Sequence, residues 1–127
     1  MKRFTRLYSD EAGESHFEDC EIDLALVDYA PDLPPLGLSS LFSAHSVRFM
    51  NAPAGWSGDW HRSAARNLFV VLTGEWEVTA SDGETRRFAV GSVLLVEDLT
   101  GKGHSSRVTS DVDSLAAMVE LRSAPPA

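Results

Sequence analysis

The chain has 127 residues, enough for one domain around one core, with 43% apolar and 24% charged residues, the proportions of an ordinary globular protein. A formal net charge of −8 and a pI near 4.8 give a surface that repels phosphate backbones, and the 11 Lys and Arg gather into no stripe, which argues against a nucleic-acid partner. The single cysteine, Cys20, excludes an internal disulfide and a cysteine-rich zinc site.

Taken in chain order, residues 1–20 are polar and weakly patterned, with a turn at Ser9-Asp10-Glu11-Ala12-Gly13. Glu21–Tyr29 alternates Ile22, Leu24 and Leu26 against Asp23, Ala25 and Val27, as a strand does. Ala30-Pro31-Asp32-Leu33-Pro34-Pro35-Leu36-Gly37 can continue neither helix nor strand, and its apolar content predicts an arm packed on the rest of the domain. From His45 onward short strands follow one another: His45–Asn51, Asp59–Leu72, Glu75–Ala80, Thr85–Val90, Ser92–Glu97, His104–Ser110 and Leu115–Leu121. Turn residues separate them, notably Ser81-Asp82-Gly83 and Thr100-Gly101-Lys102-Gly103. No amphipathic helix of three turns is present, so the expected class is all-β, a barrel or sandwich. Residues 1–44 are expected to form an N-terminal strand and arm, 45–122 the barrel core and 123–127 a frayed tail. The longest apolar run, Leu68–Leu72, is too short to cross a bilayer and no signal peptide is recognisable, which predicts a cytoplasmic protein without a membrane partner.

The residues with chemistry cluster in one spacing: Gly55, His61, Ser63, Asn67 and Gly74. On a continuous strand His61, Ser63, Ala65, Asn67, Phe69 and Val71 share one face, polar first and apolar further along, which suits a pocket mouth grading into a barrel interior. Leu68, Val70 and Leu72 share the other face, apolar enough to be covered by another sheet or a subunit. Trp56 and Trp60 flank the mouth by sequence, as stacking surfaces or as barrel-end core. Arg62 and Arg66 suit surface carboxylates, Glu75 and Glu77 a solvated face, and His16, His45 and Cys20 structural or exposed positions.

The spacing resembles the first motif of the cupin superfamily, where Ser63 and Asn67 occupy positions that are normally a second histidine and a glutamate. The second cupin motif is matched by Gly91 at its start and His104 at its end, with Glu97 where a proline would stand, a turn two residues longer and Val108 in place of an asparagine. The likeness covers about Val47 to Leu121, and Gly58-Asp59-Trp60-His61 with Glu97 to His104 looks like a subgroup of small bacterial cupins without an assigned reaction. It implies a single-domain, RmlC-like jelly-roll barrel with an N-terminal arm, and a homodimer that abuts or exchanges edge strands. The pocket would be lined by Trp60, His61, Ser63, Asn67, Phe69 and His104.

The resemblance also implies a divalent metal (Fe, Mn, Ni or Zn) on His61 and His104, with Asn67 offering an amide oxygen and Asp59, Asp98 or His45 supplying a carboxylate or imidazole. Two functions stay open. One is a small-ligand-binding cupin for a polar metabolite. The other is a metal-dependent dioxygenase, isomerase or lyase built on His61 and His104.

Overall fold

The computed structural model describes residues 2–122, so the expected tail at 123–127 lies outside the described residues. Twelve strands make up the regular structure: β1 (Arg3–Ser9), β2 (Ser15–Glu21), β3 (Ala25–Val27), β4 (Leu36–Leu38), β5 (Ala44–Ala52), β6 (Ser57–His61), β7 (Asn67–Val71), β8 (Trp76–Ala80), β9 (Thr85–Phe88), β10 (Val93–Glu97), β11 (His104–Val108) and β12 (Ser114–Leu121). The class is all-β, and among the described residues no helix is long and apolar enough to cross a membrane.

A six-stranded sheet in the order β2-β1-β10-β7-β12-β5 faces a four-stranded sheet in the order β6-β11-β8-β9, and β3 and β4 pair as a separate hairpin. The inner faces alternate as two half-buried sheets require. Leu7, Val71 and Leu94 from the larger sheet meet Trp76, Val78, Ala80, Phe88 and Val108 from the smaller. Trp76 anchors this core: its indole N–H donates to the Ser114 hydroxyl at 2.7 Å, and Ser114 Oγ donates to the Thr73 carbonyl at 2.9 Å. A buried indole N–H without such a partner would cost about 1–3 kcal/mol.

The expected strand over Asp59–Leu72 is two strands in different sheets. Between them Ser63 Oγ and Asn67 Nδ2 both donate to the Ala65 carbonyl, at 2.6 and 2.9 Å, and the Ser63 N–H donates to the Asp98 carbonyl. These local bonds turn the chain out of one ladder and into the other without a glycine or proline.

The N-terminal residues also differ from expectation. They are not an outer arm but strands of the main sheet: β1 runs parallel to β10, with Thr5 opposite Leu94 and Tyr8 opposite Glu97, and β2 pairs antiparallel with β1. No boundary near residue 44 therefore separates an arm from the barrel. Of the segment expected as strand Glu21–Tyr29, Glu21 ends β2 and Ala25–Val27 forms a hairpin with Leu36–Leu38 that holds the proline-rich loop at its tip. That hairpin is not packed down on the barrel of its own chain: Leu24, Leu26, Val27, Tyr29, Leu33, Leu36 and Leu38 are all exposed.

The turn between β1 and β2 has a structural task, to hold the 98–103 loop that joins β10 to β11. Gly13 O accepts from the Lys102 N–H at 2.9 Å, Ser9 Oγ donates to the Thr100 carbonyl at 2.7 Å, and buried Ser15 Oγ donates to the Gly103 carbonyl at 2.7 Å. Contact at Gly101 is so close that a Cβ there would lie 2.1 Å from Gly13 O, and one at Gly103 would lie 2.2 Å from His61 O. Both glycines have positive φ, +77° and +74°, a region closed to most L-residues.

Candidate functional site

Between the two sheets lies a cavity of about 170 Å³. Its walls are apolar: Met50, Phe69, Leu94, Val96 and Met118 from the larger sheet, and Trp56, Trp76, Val78 and Phe88 on the other side. One end is polar, formed by His61, Ser63, Asn67, His104 and Ser106. The aromatic wall is a set of edge contacts, with Trp76 5.5 Å from Trp56 and 5.6 Å from Phe69 between ring centroids.

His61 ends β6 and His104 begins β11, and the two stand opposite each other in the ladder, so the fold itself brings their rings to 4.5 Å between centroids. The ladder shifts register between His104 and Ser106. His104 is buried at 8% exposure, and its Nδ1 meets Asp98 Oδ2 at 2.5 Å. Asp98 is fully buried, and its second oxygen, Oδ1, has no hydrogen-bond partner. His61 Nδ1 lies 2.8 Å from the Asp59 carbonyl. A carbonyl only accepts, so His61 carries its proton on Nδ1 and its Nε2 is left with a lone pair.

Of the residues expected to form the pocket, His61, Ser63, Asn67, Phe69 and His104 line the cavity together, although they come from two strands and a connection rather than from one face of one strand. Trp60 is not among them: it is 50% exposed on the opposite face of β6, while its neighbour Trp56 supplies the aromatic wall. Asp59 does not turn a carboxylate inward either. Its side chain accepts from the Trp60 N–H, and its main-chain carbonyl orients His61. His45 is remote and exposed, 3.9 Å from Glu120. Asp98 reaches the site from behind His104, where sequence places it only in a turn.

The other polar residues are structural. Glu97, on β10, takes hydrogen bonds from Nε of both Arg6 and Arg66. Burial pushes the Glu97 carboxyl up, but these bonds outweigh it and hold the group below its ordinary value. Glu75 and Glu77 pair with Arg87, and Glu77 also with Arg107, on the outer face of the smaller sheet. Burial and the neighbouring Glu18 raise the Cys20 thiol, as expected of an unreactive cysteine.

The donors at the polar end do not fit a resident divalent metal. Among the described residues no group of three or more His, Cys, Asp or Glu is placed to hold an ion. Asp98 is engaged by His104 Nδ1, and what remains is two imidazoles, an amide and two hydroxyls, with no carboxylate among them.

The two facing sheets and their strand order give the chain the cupin fold. The cupin domain of Cnp3 from Schizosaccharomyces pombe is similar over 96% of this chain and 86% of its own, at 19% identity and a TM-score of 0.50. A cupin domain from Bordetella pertussis is similar over 61% of this chain and 80% of its own, at 22% identity and a TM-score of 0.47. An RmlC-like cupin from Shewanella frigidimarina is similar over 97% of both chains, at 15% identity and a TM-score of 0.44. At these identities the likeness concerns the fold alone. No family profile and no curated protein matches the sequence.

Proposed function

We propose that this cupin domain binds a small molecule in the barrel cavity, with an apolar body against the aromatic wall and a polar group at His61 and His104. One observation carries the reading: an apolar cavity that ends in two imidazoles whose orientation is set by other groups. The volume limits the ligand. A cavity of about 150 Å³ takes one benzene ring, so about 170 Å³ suits a molecule of one ring or its aliphatic equivalent. Titrating the protein with toluene and following backbone amide shifts tests the reading. Saturable shifts centred on Phe69, Trp76 and Met118 support it, and no shift up to the solubility limit overturns it.

We propose further that the functional unit is a homodimer. A hairpin of two three-residue strands does not hold its shape alone in water, and the exposed side chains of β3 and β4 need a cover. The edge strand β5 carries Val47 and Phe49, also exposed, next to that hairpin in sequence. Light scattering is expected to give twice the 13.8 kDa chain mass, and Phe49→Asp with Leu26→Asp to give the single mass. A monomeric wild type, or a variant that stays dimeric, removes this proposal.

A further inference from the structure

We infer that the polar group this cavity selects is a hydrogen-bond donor, which makes the ligand class neutral one-ring compounds bearing a phenolic or enolic hydroxyl or a ring N–H. The inference rests on the reading of the cavity as a ligand site and adds the chemistry that the ligand must carry.

The argument is a count of where the protons at the polar end point. His61 gives its Nδ1 proton to the Asp59 carbonyl, and His104 gives its own to the buried Asp98 carboxylate. In the neutral imidazoles each Nε2 is then a bare acceptor. Ser63 Oγ–H and one N–H of Asn67 are both directed at the Ala65 carbonyl, which leaves the Asn67 carbonyl oxygen and a hydroxyl lone pair unused. Four protons that could have faced the cavity are thus held by main-chain oxygens or by Asp98; the second Asn67 N–H and the Ser106 hydroxyl are left as donors, against acceptors at both Nε2 atoms, the Asn67 carbonyl and the Ser63 hydroxyl.

A ketone or an ether brings only acceptors to such a surface. A carboxylate brings charge into an apolar chamber that has no cation at its end. A hydroxyl on a ring satisfies an Nε2 and lays its apolar body on Trp56, Trp76 and Phe69.

Phenol and toluene, which have the same shape and differ in OH against CH₃, are the probes, titrated in the presence of EDTA. Toluene is the more apolar of the two, so an indifferent cavity takes toluene first. Wild type is expected to reverse that order and bind phenol at least about threefold more tightly, because toluene leaves the buried His104 Nε2 unpaired. In asparagine the amide nitrogen overlies Nδ1 and nothing replaces Nε2. His61→Asn and His104→Asn are therefore expected to keep the Asp59 and Asp98 bonds and to return the preference to toluene. His61 is exposed, so His61→Asn folds even if the buried variant does not. Toluene bound as tightly as phenol by wild type, or a phenol preference unchanged in the variants, overturns the inference while leaving a cavity that binds small molecules. A preference that appears only when a divalent ion replaces EDTA overturns it as well. Failure of both probes to bind takes down the cavity reading itself.

Discussion

Asp98 and His104 form a buried acid–imidazole pair, Oδ2 to Nδ1 at 2.5 Å, in which one carboxylate oxygen is engaged and the other, Oδ1, is enclosed without a partner. The pair fixes which nitrogen of His104 faces the cavity. Removing the carboxylate leaves a buried N–H unsatisfied and opens a small void. Asp98→Ala is expected to cost about 2–4 kcal/mol of stability in urea unfolding. Asp98→Asn, whose amide oxygen can still accept from Nδ1, is expected to cost less than half of that. Equal losses would mean that the charge, and not the hydrogen bond, holds His104.

Gly55 and Gly101, both at positive φ, separate strain from collision. Gly55 has a φ of +79° with open space around its missing Cβ, so Gly55→Ala is expected to cost only the conformational strain, about 1 kcal/mol. At Gly101 the added methyl meets the Gly13 backbone, which cannot move without displacing the β1–β2 turn. Gly101→Ala is expected to lose at least twice as much in the same assay. A loss no larger than that of Gly55→Ala would show that the turn yields.

His16 bridges two carboxylates, Nε2 to Asp10 at 2.7 Å and Nδ1 to Asp82 at 2.9 Å, and so ties the β1–β2 turn to the β8–β9 turn. Hydrogen bonds from Asp10 and then Asp82 raise its pKa above the ordinary 6.5. A raised folded-state value means that the contribution is fully present below about pH 6.5 and fades as pH climbs through that value. The melting-temperature gap between wild type and His16→Gln should therefore shrink between about pH 6 and about pH 9. A gap constant over that range would show that the bridge does not depend on the charge.

Glu97 between Arg6 and Arg66 has the opposite sign. Its carboxyl lies below the ordinary 4.5, so its stabilisation holds above that pH and is lost as pH falls through the folded-state value. At 13% side-chain exposure, Glu97→Gln is expected to cost about 1–2 kcal/mol at neutral pH and almost nothing in acid. A cost that persists in acid would point to packing rather than charge.

The barrel strands from β8 to β12 are legible in the sequence because each is a short run closed by turn residues, and β8 alternates cleanly between a buried and a half-buried face. The strands expected at Glu75–Ala80 and Ser92–Glu97 differ from those observed by one residue at their starts. His61 with His104, Ser63, Asn67 and Phe69 were legible as one site because the spacing carries them. The break between β6 and β7 was not, since Ser63 and Asn67 make it with side-chain bonds to Ala65 and no turn residue marks it. Trp56 and Trp60 could not be told apart without knowing which way β6 faces. Nor could the place of β1 in the main sheet be read: of its residues only Leu7 is buried, and its parallel partner β10 lies about 90 positions away. Asp98 was legible as a carboxylate that could reach the site from its turn, but not as one buried behind His104, because that burial depends on the N-terminal hairpin that clamps the loop.

The parallel pairing of β1 with β10 also sets an order of events during synthesis. Thr5 to Tyr8 leave the ribosome long before Leu94 to Glu97 exist. At about 5–20 residues per second the N-terminal hairpin waits roughly 5–20 s for the strand beside which it belongs. Throughout that time the loop that carries Asp98 and leads into His104 has neither been made nor clamped. The clamp on the loop that carries Asp98 therefore cannot form until that loop, the last-made part of the site, has been synthesised.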